Sequence, residues 1–257
     1  MKPYSDLTDG IVKWMSDYAE ENEISTLVVG VSGGVDSAVT STLCAKTGLR
    51  TIALSMPIHQ LKSQNDLSIL HCDWLKSNWK NVETHVVDLS GTFDSISIAL
   101  KSKGDGEMAL ANTRARLRMA TLYAFAASNN GIVVGTGNKV EDFGVGFFTK
   151  YGDGGVDISP IADLYKSEVF SLANSLGVIQ EIQEAAPNDG LWDDGRTDEE
   201  QIGATYDELE WAMREIESPS GLEPNHRQKQ VMEIYLRLNK INSHKMNPIP
   251  LFKKSDR

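Results

Sequence analysis

The chain has 257 residues, 40% of them hydrophobic, and a formal net charge of −11 at pH 7. Its length and composition are those of a globular protein with one large α/β domain or two small ones. The acidic balance argues against non-specific nucleic-acid binding, which depends on Lys and Arg side chains that neutralise phosphates. No apolar run could span a bilayer, no signal peptide is evident, and Cys44 and Cys72 form no C-x-x-C pair. We therefore expect a cytoplasmic protein without membrane or nucleic-acid partners.

The spacing of apolar residues predicts strands that alternate with helices. A first amphipathic helix is expected at residues 7–20, because apolar side chains recur there at helical spacing. Short apolar runs predict four strands, at residues 26–32, 51–56, 84–89 and 131–136. Further helices are expected from residue 37 and at residues 63–77, 108–128, 165–176, 197–216 and 224–243. This order predicts an α/β fold with a doubly wound, mainly parallel sheet and flanking helices.

Two stretches interrupt the alternation. Residues 139–160 contain five closely spaced glycines and no clear periodicity, and residues 185–196 are also irregular. A long loop inside a compact fold is usually functional or disordered. The aromatic residues Phe147, Phe148 and Tyr151 in the first stretch favour order when a ligand binds.

The strongest local motif is the segment Gly-Val-Ser-Gly-Gly-Val-Asp-Ser at residues 30–37, which follows a strand and opens a helix. Gly33 and Gly34 allow a tight bend and a close approach of an anion to the backbone, and the helix N-terminus supplies free N–H groups. No lysine follows as in the Walker loop, and G-x-G-x-x-G is absent. A plain strand–turn–helix corner is the alternative, but it does not require two hydroxyls and a carboxylate together.

Other polar groups are expected beside this loop. The carboxyl ends of parallel strands meet at one edge of a sheet, so residues 30–37, 56–59 and 135–138 and Asp88 should converge there. Thr136 offers a hydroxyl to a nucleotide. Glu141 is an oxygen ligand suited to Mg²⁺, with Asp36 as a second, although a lone loop glutamate is usually only solvated.

The cationic residues have two interpretations each. Arg114 and Arg118 should share one helix face while Arg116 points elsewhere, and these arginines form either a solvated surface or an anion site. Residues 148–160 have the composition of a flexible lid that carries Lys150 and Asp157 to a substrate. Lys166 could reach a phosphate or be an ordinary surface lysine. The pair His244 and Lys245 is weak evidence alone.

Taken in chain order, the motifs resemble the ammonia-dependent NAD synthetases of the N-type ATP pyrophosphatase superfamily. They are Ser-Gly-Gly-Val-Asp-Ser, Asn-x-x-Ala-Arg-x-Arg-Met, Gly-Thr-x-Asn-x-x-Glu, Phe-Phe-Thr-Lys-Tyr-Gly-Asp-Gly-Gly-Val-Asp-Ile, Leu-Tyr-Lys and the final His-Lys. The resemblance covers nearly the whole chain. The lid motif is far more specific than the first loop, which the wider superfamily shares.

The resemblance implies a role for each matching residue. The ATP-binding set would be Gly30, Val31, Ser32, Gly33, Gly34, Val35, Asp36, Ser37, Thr136, Lys166 and Asn188. The deamido-NAD-binding set would be Arg116, Lys150, Asp157, His244 and Lys245. Asp36 and Glu141 would bind Mg²⁺, and Asp36, Lys166 and Asp157 would be catalytic. Two departures from the family pattern are Asn188, where Ser or Thr is frequent, and a slightly long spacing from Glu141 to Lys150.

The reaction implied is the ATP-dependent amidation of deamido-NAD to NAD by ammonia, through an acyl-adenylate, with release of AMP and pyrophosphate. Asp157 would lie near the amine. We expect residues 1–257 to form a single synthetase domain without a glutaminase domain, since Cys44 falls in a structural helix, although a separate glutaminase chain could supply ammonia. A homodimer is implied by the resemblance alone.

Two alternatives stay open. Another enzyme of the same fold could adenylate a different acceptor, as a GMP synthetase core or a tRNA-thiolating enzyme does. The acidic charge and the missing C-x-x-C speak against tRNA, and the lid motif speaks against GMP synthesis. A regulatory nucleotide-binding module without chemistry would need the phosphate loop but not Arg116, Lys150, Asp157 and Glu141.

Overall fold

The computed structural model describes residues 3–60, 62–101, 103–104, 106–185 and 197–254. Its four described strands form one parallel sheet in the order β3-β2-β1-β4. The strands are β1 Thr26–Gly30, β2 Arg50–Ser55, β3 Val82–Val86 and β4 Gly131–Val134. The four predicted strands and their parallel arrangement are confirmed, although β3 ends at Val86 whereas the sequence predicts a strand over residues 84–89. The central β1 pairs with β2 on one side and β4 on the other.

Helices cover both faces of the sheet, because successive side chains of a strand point to opposite faces. Leu27 and Val29 of β1 belong to one apolar cluster, while Val28 belongs to another on the opposite face. The first face carries α1 Pro3–Glu21, α2 Val35–Lys46, α3 Lys62–Asn78, α6 Lys166–Leu176 and α7 Gln180–Gln183. The second carries α4 Ser90–Leu100 and α5 Glu107–Ser128. The doubly wound fold is therefore confirmed, and Cys44 is a buried core residue as expected.

A π-helix and three α-helices near the C-terminal end of the described chain enclose a third apolar core. We call these four helices the helical cluster. These are the π-helix Lys139–Val145, α8 Asp198–Ile202, α9 Tyr206–Glu217 and α10 His226–Met246. Capping boxes at Thr197, Thr205 and Asn225 define where α8, α9 and α10 begin. The π-helix begins shortly after β4 ends, and α9 packs against both the π-helix and α6.

Three expectations from the sequence are corrected. Helices α4 and α7 were not predicted. Residues 139–145 form a π-helix, whereas the sequence predicted an irregular loop from residue 139. The single helix expected at residues 197–216 is divided in two, because Gly203 has a φ of +88° and Thr205 caps a new helix. The predicted irregular segment at residues 185–196 lies almost wholly outside the described residues.

Candidate active site

A cavity of about 280 Å³ lies beyond the carboxyl ends of β1, β2 and β4. All eight residues of the loop at 30–37 line it, together with Met56, Gln60, Arg118 and residues 135–137. The predicted meeting of the segments at residues 30–37, 56–59 and 135–138 is therefore confirmed, since each contributes residues to the cavity. Asp88 is not among the residues that line the cavity, and its carboxylate instead accepts a hydrogen bond from Ser90 N at 2.9 Å.

Hydroxyl groups hold the loop at residues 30–37 in an open bend. The Ser37 hydroxyl accepts from Ser32 N at 3.1 Å and donates to Gly34 O at 2.9 Å, and Ser32 Oγ accepts from Gly34 N at 3.2 Å. Gly33 has a φ of +91°, which favours glycine. Helix α2 then begins at Val35 and directs its free N–H groups to the cavity. The loop is therefore shaped for an anionic group before any ligand arrives.

The charged centre of the cavity is a buried lysine between two carboxylates. Lys166, 3% exposed, lies at the start of α6, and its Nζ is 2.5 Å from Asp36 Oδ2 and 2.9 Å from Glu141 Oε1. Burial disfavours its charge, but the two carboxylates outweigh burial and raise the pKa of Lys166, which stays an ammonium. The interpretation of Lys166 as a surface lysine is wrong.

The two carboxylates respond differently to this setting. Burial raises the pKa of Asp36 above its ordinary value despite the opposing charge of Lys166. Burial also opposes the charge of Glu141, but Lys166 and the Tyr206 hydroxyl outweigh it and lower the pKa of Glu141. Glu141 is therefore the more firmly ionised of the pair.

Three residues that hold this centre have no role assigned from the sequence, although Asn138 lies in the predicted edge segment at residues 135–138. Asn138 donates from Nδ2 to Asp36 Oδ1 at 3.0 Å, and its Oδ1 caps the π-helix by accepting from Val140 N and Glu141 N at 3.1 Å. Tyr206 donates its hydroxyl to Glu141 Oε1 at 2.5 Å and lies 3.2 Å from Asp198 Oδ2. The capping preference of asparagine could have identified Asn138. No local signal identifies Tyr206 or Asp198, since they lie far along the chain.

The oxygen atoms of Asp36 and Glu141 suit Mg²⁺, which proteins usually bind through one or two carboxylates with phosphate and water completing the shell. Asp36 belongs to the anion-binding loop, and Glu141 lines the same cavity. Among the described residues, no group of three or more His, Cys, Asp or Glu side chains could hold a metal by itself. A cation here would thus depend on phosphate oxygens from a nucleotide, and the residues present fit that arrangement.

The lid segment places a different carboxylate on the cavity from the one expected. Asp153 lines the cavity and is open to it, yet the surrounding protein disfavours its charged form and raises its pKa to about 6. Asp157 does not line the cavity: it accepts from Val133 N at 2.7 Å and from the Tyr123 hydroxyl at 3.0 Å. Asp142 also lines the cavity, and burial and nearby carboxylates raise its pKa.

The predicted dinucleotide residues, Asp157 excepted, form a second group away from the cavity lining. Lys150 Nζ donates to His244 O at 2.6 Å, and Lys245 Nζ donates to Phe148 O at 2.7 Å. Arg116 donates to Lys150 O at 3.3 Å. We call Arg116, Lys150, His244 and Lys245 the cationic group. It joins α5, the lid segment and the end of α10, which the sequence separates widely.

The remaining predicted residues are placed as follows. Thr136 lines the cavity. Arg118 lines it as well and donates from Nε to Met56 O at 3.0 Å, whereas Arg114 stacks over the Phe93 ring at 4.5 Å. Arg116 points away from both, as its helical position predicts. Asn188 lies outside the described residues.

A phosphate-binding loop on a parallel sheet, with a buried lysine between two carboxylates, defines an α/β nucleotide-dependent enzyme. The family model of NAD synthase matches residues 7–248, and the chain belongs to that family. The resemblance seen in the sequence is thereby confirmed. In the part of the chain that the structure describes, no helix has both the length and the apolar character to cross a membrane.

Related proteins align with this chain over most of their own length. The chain is 37% identical to the NH(3)-dependent NAD(+) synthetase of Alkaliphilus metalliredigens, covering 93% of this chain and 96% of the relative. It is 39% identical to that of Finegoldia magna, over 80% of this chain and 83% of the relative. Among solved structures, the NMN synthetase from Francisella tularensis has 32% identity and a TM-score of 0.85, with 97% of this chain and 98% of that one covered.

Proposed function

We propose that the protein is an ammonia-dependent synthetase that converts the carboxylate of deamido-NAD to the amide of NAD at the expense of ATP. The observation that carries this proposal is the cavity itself, in which a preformed phosphate loop contributes Asp36 to the Asp36–Lys166–Glu141 centre in a member of the NAD synthase family. The chain also covers nearly all of relatives named NH(3)-dependent. A regulatory module without chemistry would not need this buried charged centre.

The proposed reaction has two steps, because a carboxylate is a poor electrophile. A carboxylate oxygen of the substrate first attacks the α phosphorus of ATP, forming an oxygen–phosphorus bond while the bond to pyrophosphate breaks. Ammonia then attacks the carbonyl carbon of this acyl-adenylate, forming the carbon–nitrogen bond. The bond to AMP breaks with its electron pair leaving on AMP, and the nitrogen gives one proton to solvent; nitrogen that enters as ammonium gives a further proton to solvent before the attack.

The groups around the loop have defined tasks in this scheme. The loop amides and the Lys166 ammonium stabilise the charge that develops on pyrophosphate, and both are in place before the reaction, so little reorganisation is required. Mg²⁺ held by Asp36 and Glu141 would neutralise phosphate charge when bound. Thr136 lines the cavity, as a contact to ATP requires.

The amine side of the site favours Asp153 over Asp157. A carboxylate that is to bind ammonium must face the cavity, and Asp153 does so. Asp157 instead has its two oxygens occupied by Val133 N and Tyr123. The role of Asp157 at the amine stays a prediction from the family resemblance, and we assign ammonium binding to Asp153.

The cationic group is the proposed contact surface for the dinucleotide. Arg116, Lys150 and Lys245 bring three basic side chains together in a protein that is otherwise strongly acidic. Backbone carbonyls orient Lys150 and Lys245 without neutralising them. An anionic pyrophosphate would therefore find both charge and pre-arranged donors there.

Amidation of the mononucleotide, deamido-NMN, is a second candidate function. The similar solved structure from Francisella tularensis is named an NMN synthetase and shares 32% identity over nearly the whole chain. The chemistry at ATP would be the same, and the two candidates differ only in the length of the acceptor.

In the deciding experiment, the purified protein is incubated with ATP and Mg²⁺. Either deamido-NAD or deamido-NMN is the acceptor, and each acceptor is tested with ammonium and, separately, with glutamine. NAD and AMP formed in equal amounts with ammonium but not glutamine would support the proposal. A higher kcat/KM for deamido-NMN would favour the second candidate. AMP without either amide would mean that another acceptor is adenylated.

We further infer a cytoplasmic homodimer of a single synthetase domain. The support for association is the exposure of apolar side chains on the neighbouring helices α4 and α5, where Ile98 is 74% and Met108 59% exposed. Light scattering after gel filtration tests this inference, because a mass near 28.3 kDa would contradict it.

A further inference from the structure

Tyr206 connects the helical cluster to the charged centre of the cavity. It is the first residue of α9 and is 6% exposed, and the capping box of Thr205 and Glu208 fixes the turn on which it lies. Its hydroxyl donates to Glu141 Oε1 at 2.5 Å, and Lys166 Nζ is 4.7 Å from the centre of its ring. One side chain thus contacts both members of an ion pair that the phosphate loop faces.

The same oxygen of Glu141 receives two donors from different directions. Lys166 approaches Oε1 at 2.9 Å from α6, and Tyr206 approaches it at 2.5 Å from α9. Two donors on one oxygen restrict the rotation of the carboxylate. The Tyr206 hydroxyl therefore restrains Glu141 independently of the Lys166 contact.

Helix α9 supports the partner of Glu141 as well. Glu210, one turn after Tyr206 and 1% exposed, accepts from Ser167 N at 2.8 Å and from the Ser167 hydroxyl at 2.7 Å. These bonds satisfy the first turn of α6, in which Lys166 lies. One face of α9 therefore fixes Glu141 directly and the backbone beside Lys166.

We propose that Tyr206 is a positioning residue that orients the Glu141 carboxylate for the divalent cation accompanying ATP. This inference rests on the proposed function only in assuming that Mg²⁺ and ATP meet at Asp36 and Glu141. Partners that orient a ligating carboxylate typically change metal affinity by about 10–100-fold when they are removed. The Tyr206 hydroxyl is such a partner, although the phenol itself touches no substrate in this scheme.

The test is Tyr206→Phe, which fills the same space and keeps the ring beside Lys166. The first measurement is the thermal unfolding midpoint in the presence of ATP as Mg²⁺ is titrated, without the acceptor so that ATP is not consumed. In the variant, the Mg²⁺ concentration that gives half of the rise in this midpoint should increase by about 10-fold or more. The Mg²⁺ concentration for half-maximal rate should rise in parallel, with an unchanged KM for ammonium. A purely structural role would lower the midpoint without moving the Mg²⁺ dependence.

Tyr235→Phe is the matched control, since Tyr235 is buried in the same helical cluster but is not among the residues that line the cavity. It should retain the wild-type Mg²⁺ dependence. Wild-type Mg²⁺ dependence in Tyr206→Phe would overturn the inference, as would an equal shift in both variants. If the wild-type protein formed no amide product, the proposed function would fail, while the binding measurement would still decide the role of Tyr206.

Discussion

The two halves of the site differ in how their charges are held. The Asp36–Lys166–Glu141 centre is buried, and each charge there is paired with an opposite side-chain charge. The lysines of the cationic group instead donate to backbone carbonyls, which carry no net charge. The first arrangement keeps a fixed geometry before ATP binds. In the proposed function, the second would attract an anionic substrate, which would replace the contacts to the carbonyls.

The largest effect is expected from Lys166→Met. The rate should fall about 10²–10³-fold, because a preorganised donor to developing charge is lost. The variant should also lose about 3–5 kcal/mol of unfolding free energy, since Asp36 and Glu141 remain buried without their cation. Steady-state kinetics and urea unfolding measure the two effects. Unchanged stability would show that the centre does not depend on internal pairing.

Lys150→Ala tests the other half of the comparison. A lost charge-assisted hydrogen bond of about 1.5–3 kcal/mol should weaken dinucleotide binding about 10–100-fold and leave ATP binding unchanged. Separate calorimetric titrations with deamido-NAD and ATP check this. Lys229→Ala, which removes an exposed lysine paired with Glu223, is the control and should alter neither affinity. Equal weakening towards both ligands would contradict the assignment of the cationic group.

Asp153 and Asp157 can be separated by pH. With a pKa of about 6, Asp153 is ionised at pH 7.5 and becomes protonated as the pH falls through 6. The rate advantage of wild type over Asp153→Asn at low ammonium should therefore shrink by up to about 10-fold per pH unit below 6. Asp157→Asn should show no such trend. The reverse pattern would restore the amine role to Asp157.

The smallest effect is expected from Ser37→Ala. Removing this hydroxyl takes away a bond to Ser32 N and a bond to Gly34 O within the loop. At about 1 kcal/mol for a net hydrogen bond, the KM for ATP should rise about fivefold with little change in kcat. Thr47→Ala, a hydroxyl loss at the opposite end of α2, is the control. An unaltered KM would mean that the glycines alone shape the loop.

The elements that the sequence predicted well are those with a local cause. The four strands, the loop at residues 30–37 and helices α1, α2, α3, α5, α6 and α10 follow from apolar spacing, glycine and helix caps within a few residues. The predicted ATP-side residues are gathered in one cavity, Asn188 aside, because parallel strands end at the same edge of a sheet. The π-helix was not predicted because, apart from the capping Asn138, its local pattern does not distinguish it from a loop.

The sequence by itself determined the fold class, the phosphate loop and the family, since each depends on short segments in a given order. Only the tertiary structure decided which charges meet. Lys166 lies 130 residues from Asp36, and Tyr206 lies 65 residues from Glu141, yet both pairs are in hydrogen-bond contact. It also decided that Asp153 and not Asp157 faces the cavity. Such pairings arise from the packing of whole helices against one another, and packing between distant segments leaves no periodic trace in the residues that come into contact.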